Sequence, residues 1–268
     1  MDRISAMKLR KKVFSTEFEF DAELARNLDP IDKGFNFLRN PVVQNIYNYQ
    51  IDYVLNLSKE WLKKRSFDIL DWGCGKGYVS YLLKKTKDLN VTSCDVENID
   101  SSSAFGSNSP IFSLENINII GLKHDYILPF DNSIFDVVLS FGVLEHVPNA
   151  LESLREINRI LSPNGLFFCF CLPYKLSYTQ GISHMKGDYY HKILYRKNDV
   201  KRLLEESNFH LLDIWHRALL PKISLIPPFY HKIEKIDNWL CNYSVLKYFA
   251  TNIEFVAYKK IGDLSHLI

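Results

Sequence analysis

Between residues 71 and 95 the chain sets Asp71, Gly73, Gly75 and Gly77 at alternate positions, with Asp95 eighteen residues beyond the last glycine. Glycines at such spacing let a backbone turn tightly and let a ligand approach the amides with no Cβ in the way. A dinucleotide-binding turn needs G-x-G-x-x-G, and Tyr78 stands where its third glycine would be, so a pyrophosphate fits poorly. A carboxylate at the end of a strand, as Asp95 is placed, can accept two hydrogen bonds from vicinal ribose hydroxyls. The alternative for Asp95 is an acid capping a nearby amide, and for Asp125, further on, a turn residue.

The histidines form a second set. A neutral imidazole beside a reacting acceptor can remove its proton, and His146, His184 and His191 are the candidates. His146 follows an apolar run and reads equally as a helix-entry residue. His184 and His191 lie in the long segment Tyr174 to Tyr195, interleaved with Tyr178, Tyr189 and Tyr190; this segment reads as a loop shaping a substrate pocket, and its aromatics equally as packing against neighbouring helices. The five cysteines (74, 94, 169, 171 and 241) include no CxxC pair and no zinc spacing, so they read as reduced thiols. No acidic cluster stands out, and no metal is expected.

These residues need a scaffold, and the apolar pattern supplies one. Phe67–Trp72 reads as a strand running into the glycine turn, followed by a helix carrying Val79, Leu82 and Leu83 inward. Val91–Val96, Ile117–Leu122, Phe135–Phe141, Leu166–Leu172, Leu211–Leu219 and Asn252–Lys259 read as six more strands. Helices are expected at Ala150–Leu161, where Asn149 and Glu152 form a capping-box pattern and Ser162-Pro163-Asn164-Gly165 ends the helix, and at Asn198–Ser207. The polar stretch Asn98–Pro110 reads as loop. The fold expected is α/β, a doubly wound, mostly parallel seven-stranded sheet with N-terminal helices and a helical insert before the last strand.

On these residues the chain resembles class I S-adenosylmethionine-dependent methyltransferases of the small-molecule type. Asp71-Trp72-Gly73-Cys74-Gly75-Lys76-Gly77 is similar to that family's D-x-G-x-G-x-G motif. Asp95 stands where the family has its ribose-binding acid. His124-Asp125-Tyr126 with Leu128-Pro129-Phe130 is similar to the segment whose Asp contacts the adenine amino group, and Phe135–Val138 through Leu144-Glu145-His146-Val147 resembles the fourth strand and its turn. Leu154–Gly165 is similar to the helix and turn before the fifth strand, so the resemblance covers about residues 66–174. It implies S-adenosyl-L-methionine as cofactor, held by Asp71, Gly73, Cys74, Gly75, Gly77, Asp95, Val96, Asp125, Tyr126 and Phe141, of which Tyr126 and Phe141 read equally as core residues. It also implies that the turn carrying His146 borders the acceptor pocket; His146 and, from its place in the segment after the fifth strand, His191 are the candidate catalytic residues. Phe141-Gly142-Val143-Leu144 departs from the Asn-Pro-Pro-Tyr motif of enzymes that methylate planar amino nitrogens, so methylation of DNA adenine is not expected.

The totals narrow the partners. The net charge of +2, from 33 Lys plus Arg against 31 Asp plus Glu, does not suggest a protein held by nucleic-acid phosphates. A small-molecule, lipid-linked or glycan-linked acceptor is expected instead. No apolar run has membrane-spanning length and the first residues lack a signal-peptide core, which reads as a cytoplasmic chain. Residues 1–66 are expected to be helical and to pack on a core domain spanning 67–268. In the insert at 220–249, Phe229, Ile233, Ile236 and Leu240 fall on one helical face, with Lys222, Lys232 and Lys235 nearby. That pattern reads either as packing onto the N-terminal helices or as a peripheral membrane contact. Two rival functions remain: a nicotinamide-dependent oxidoreductase, opposed by Tyr78 and by the lack of a Ser-Tyr-x-x-x-Lys pattern, and a non-catalytic binding subunit on the same fold.

Overall fold

The computed structural model describes residues 2–13, 19, 21–28, 37–86, 88–96, 109, 111–112, 116–187, 191, 193–220 and 229–260. Seven strands form one sheet: β1 (Phe67–Trp72), β2 (Leu89–Val96), β3 (Ile119–Leu122), β4 (Phe135–Phe141), β5 (Leu161–Pro173), β6 (Phe209–Arg217) and β7 (Asn252–Lys259). Their spatial order is β3-β2-β1-β4-β5-β7-β6. Neighbours are parallel except β7, which runs antiparallel to both β5 and β6. The α-helices are α1 (Arg3–Val13), α2 (Ala22–Asn27), α3 (Pro41–Leu62), α4 (Tyr78–Lys84), α5 (Ala150–Ile160), α6 (Tyr178–Met185), α7 (Lys197–Glu206) and α8 (Phe229–Tyr243). The doubly wound sheet expected from the sequence is thus present.

The central strands are apolar on both faces because both faces are covered. On one side Leu154, Ile157 and Ile160 of α5 and Val200 and Leu204 of α7 pack on Val138 and Phe167. On the other, Tyr49, Tyr53 and Leu57 of α3 and Val79 and Leu83 of α4 pack on Val137, Leu139 and Phe168. Tyr53 meets Phe168 and Trp215 edge to face, with centroids 5.9 and 5.7 Å away. α3 starts where Asn40 accepts the Val42 amide at 2.9 Å with Pro41 in the first turn, and it stops at Lys63 in a left-handed conformation. The Asn149 side chain accepts the Glu152 amide at 3.2 Å, and α5 closes at Ile160, just before Ser162–Gly165. β1 pairs with β2 on one side and β4 on the other, so the crevice beyond their carboxyl ends is the topological switch point, where ligands bind in such sheets.

Two expectations need correction. The segment from Tyr174 to Tyr195, read as loop, contains α6 and returns to the sheet through a bridge between those two tyrosines. In the insert, α8 is rotated relative to the face read from its apolar residues: Glu234, Asp237, Asn238 and Cys241 are buried, while Ile236 is 52% and Trp239 58% exposed. The reason is Arg217 at the end of β6, a buried guanidinium that must be paired. Arg217 donates to Glu234 at 3.1 Å and to Asn238, Asn45 of α3 also donates to Glu234, and Asp237 accepts the Leu219 and Leu220 amides at 2.8 and 2.6 Å. Satisfying these groups outweighs burial of Ile236. Phe229's side chain and residues 221–228 lie outside the described part, as do all but Ser109 of the stretch 98–110.

Candidate active site

The glycine turn leaves β1 with Gly73, Gly75 and Gly77 all at positive φ (+71°, +52° and +85°). A Cβ on Gly73 would stand 2.5 Å from Val143 Cγ2, and one on Gly77 2.2 Å from the Phe112 ring, so neighbours and backbone both require glycine here. The Gly73 and Cys74 amides donate to the Cys94 carbonyl at 2.9 and 3.0 Å, tying the turn to β2. The Gly75 amide donates to Asp95 Oδ2 at 2.6 Å, and Asp95 Oδ1 accepts the Val96 amide at 2.7 Å. Beneath the turn, Asp71 is buried and accepts the Ser80 hydroxyl at 2.5 Å; Ser80 in turn meets Ser93 at 2.8 Å. Burial pushes Asp71 up to about 7, and it raises Asp95 as well, against the two amides that favour its charge.

A cavity of about 530 Å³ opens above this turn. Of the residues singled out in the sequence, Asp71, Gly73, Cys74, Gly75, Asp95, Val96, Asp125, Phe141 and His146 line it. Gly77 and Tyr126 stand beside it instead. Gly77 caps α4, its amide donating to the Cys74 carbonyl at 2.8 Å, and Tyr126 packs edge-on against His124 with centroids 4.6 Å apart. Sequence reasoning missed Leu38 and Tyr47, which the N-terminal segment brings to the wall. Tyr47 stacks on Phe141 at 5.5 Å and meets Tyr78 edge-on at 5.2 Å. Its only signal was an aromatic side chain in a helical segment, which does not separate a pocket wall from core.

After β4 the chain turns through Leu144-Glu145-His146 at the cavity rim. Glu145 is buried, and its Oε1 lies 3.9 Å from His146 Nε2 and 3.9 Å from His191 Nδ1, with the two imidazole centroids 5.7 Å apart. His191 arrives there because Tyr195 pairs with β5: its amide donates to Pro173 at 3.0 Å and its hydroxyl to the Leu144 carbonyl at 3.1 Å. Burial pushes Glu145 up to about 7 and lowers His146. Among the described residues this cluster unites Glu145, His146 and His191; His184 sits on α6 and is not part of it. Glu145 was not recognised from the sequence, since a lone acid in a turn carries no signal until its neighbours are known.

Residues 70–169 match the family described as Methyltransferase domain. The chain is 25% identical over 143 residues to a tRNA U34 carboxymethyltransferase of Nautilia profundicola, covering 53% of this chain and 46% of that one. It is 25% identical over 155 residues to a ubiquinone biosynthesis O-methyltransferase of Rickettsia canadensis, covering 56% of this chain and 60% of the relative. The chain thus spans about half the length of the curated relatives it matches. Among solved structures it is similar in fold to a protein of Galdieria sulphuraria assigned as a sarcosine dimethylglycine methyltransferase, with a TM-score of 0.58 and 13% identity over 96% of this chain and 98% of the other.

Proposed function

We propose that this chain, whose residues 70–169 match the Methyltransferase domain family, is a class I S-adenosylmethionine-dependent methyltransferase that transfers a methyl group from this cofactor to a small or lipid-linked acceptor. The observation that carries the reading is Asp95 at the carboxyl end of β2, beside a glycine turn held open by three positive-φ glycines. A carboxylate has about four acceptor positions. Two are taken by the Gly75 and Val96 amides, which leaves room for both hydroxyls of a ribose. The geometry fits the nucleoside: Val96 offers an exposed apolar side chain for an adenine face, and Asp125 an acceptor at the cavity wall for its amino group. Nothing in the turn favours a pyrophosphate, because Tyr78 is buried at the place where a dinucleotide turn needs a third glycine.

When bound, S-adenosylmethionine supplies a methyl group on a sulfonium, whose thioether leaves readily. The chain's own task is then to position the acceptor, and positioning alone can supply much of the catalysis. Tyr47, Phe141 and Val143 give the cavity an apolar stretch of wall against which an acceptor can pack. His146, which lines the cavity with the His191 ring 5.7 Å away, is the candidate to take a proton from an acceptor hydroxyl.

A lipid-linked acceptor is favoured by the outer face of α8 and the segment after it, where Trp239, Tyr243, Val245, Tyr248 and Phe249 are exposed beside Lys232 and Lys235. Aromatic rings and lysines together suit the surface of an anionic bilayer. No helix among the described residues is long and apolar enough to cross a membrane. Calorimetric titration with S-adenosylhomocysteine, with NAD as control, tests the cofactor: folded wild type that binds neither favours a binding subunit, and NAD binding favours an oxidoreductase. Co-sedimentation with anionic and zwitterionic vesicles, and a labelled-methyl assay offering lipid extract and tRNA side by side, test the acceptor.

A further inference from the structure

We infer that Glu145, His146 and His191 form a binding site for one divalent transition-metal ion of the zinc type. One ligand atom from each residue lies within 4.8 Å of the other two. Both Glu145–His separations are 3.9 Å, which is too long for hydrogen bonds; these require about 2.7–3.2 Å. The same distance suits atoms flanking a cation. With metal–ligand bonds of about 2.1 Å, two ligands of one ion stand roughly 3.0 to 4.2 Å apart.

The carboxylate gives a second, independent observation. Glu145 is 3% exposed, and its Oε2 has no hydrogen-bond partner among the described residues. Burying a carboxylate oxygen without a partner is costly, so such an atom calls for an occupant that the described residues do not supply. Two imidazoles and a carboxylate are a donor set for Zn²⁺, Fe²⁺ or Mn²⁺, and three protein ligands leave coordination positions open. His146 lines the cavity, so the open side faces the space above the glycine turn. The ligand suited to that side is a hydroxyl or carboxylate oxygen of the acceptor, an assignment that rests on the methyl-transfer reading; the metal site itself does not. Metal loading also decides how the imidazoles act, since a lone pair given to the ion is not available to a proton.

The test uses the whole chain, stripped with a chelator and titrated with Zn²⁺ by calorimetry and with Co²⁺ by visible absorption. Wild type is expected to take one equivalent and to give the intense bands of low-coordinate Co²⁺. Glu145→Gln and His191→Ala are expected to weaken uptake by at least about tenfold while keeping their melting temperature and their affinity for S-adenosylhomocysteine. Absence of saturable uptake by folded wild type, or uptake unchanged in both variants, overturns the site. Metal uptake by a wild type that does not bind S-adenosylhomocysteine would sink the cofactor reading and leave the metal site standing.

Discussion

The Asp95 carboxylate accepts the Gly75 amide at 2.6 Å, so the acid near the carboxyl end of β2 also braces the glycine turn that follows β1. Asp95→Asn keeps the size of the side chain and removes its charge. Charge-assisted hydrogen bonds are worth about 1.5–3 kcal/mol, so affinity for S-adenosylhomocysteine should fall by roughly ten- to a hundredfold. Calorimetry checks this, and an unchanged dissociation constant would remove Asp95 from the site.

Gly77 has φ +85° and lies against the Phe112 ring. Gly77→Ala should destabilise the protein by about 1–3 kcal/mol, since a side chain is strained at this φ and the ring must also move. Gly181 on α6 has nothing within 4 Å of an added Cβ, so Gly181→Ala is the matched control and should be neutral or stabilising. Urea midpoints of the two variants distinguish local strain from a general intolerance of alanine.

The rotation of α8 follows from the Arg217–Glu234 pair, whose side chains are both nearly inaccessible. Arg217→Leu leaves the buried Glu234 carboxylate without its cation, with the Asn45 amide still donating to it, and should cost about 3–5 kcal/mol. Trp239→Ala on the opposite, exposed face should change stability by no more than about 0.5 kcal/mol. Equal effects from the two would mean that the helix buries its apolar face after all.

His216 is 2% exposed, and neither ring nitrogen has a hydrogen-bond partner among the described residues. Burial, aided by Lys197 and Lys247, lowers its pKa from 6.5 to about 3. The unfolded chain therefore binds a proton that the folded chain refuses: the contribution is intact above pH 6.5 and is lost as pH falls from there to about 3. His216→Phe should flatten the loss of stability in that window, measured as urea midpoints across it. A slope identical to wild type would show that this histidine titrates normally.

Much of the architecture was legible because it is written locally. β1, β4 and β7 begin and end where the apolar runs do, since a strand buried on both faces has a continuous apolar sequence and turn residues at its ends. Asn149 marks the start of α5 because an N-cap acts within three residues. The glycine-turn side of the cavity was legible for the same reason: the turn is a short string of glycines whose backbone conformations are local, and Asp95 is placed by the strand that carries it. α8 misled for a physical reason too, because its apolar periodicity was real while the partners that outweigh it, Arg217 and Asn45, lie on other elements.

By itself, then, the sequence determined the doubly wound sheet, its switch point and the glycine turn with Asp95, all properties of short-range pattern and backbone preference. Only the tertiary structure decided that Tyr47 walls the cavity, that α8 faces inward with its acids, and that His191 meets Glu145 and His146. Each of these is a contact between segments distant in the chain. Its energy comes from burial and from the satisfaction of polar groups, and neither quantity exists until the partners have been brought together.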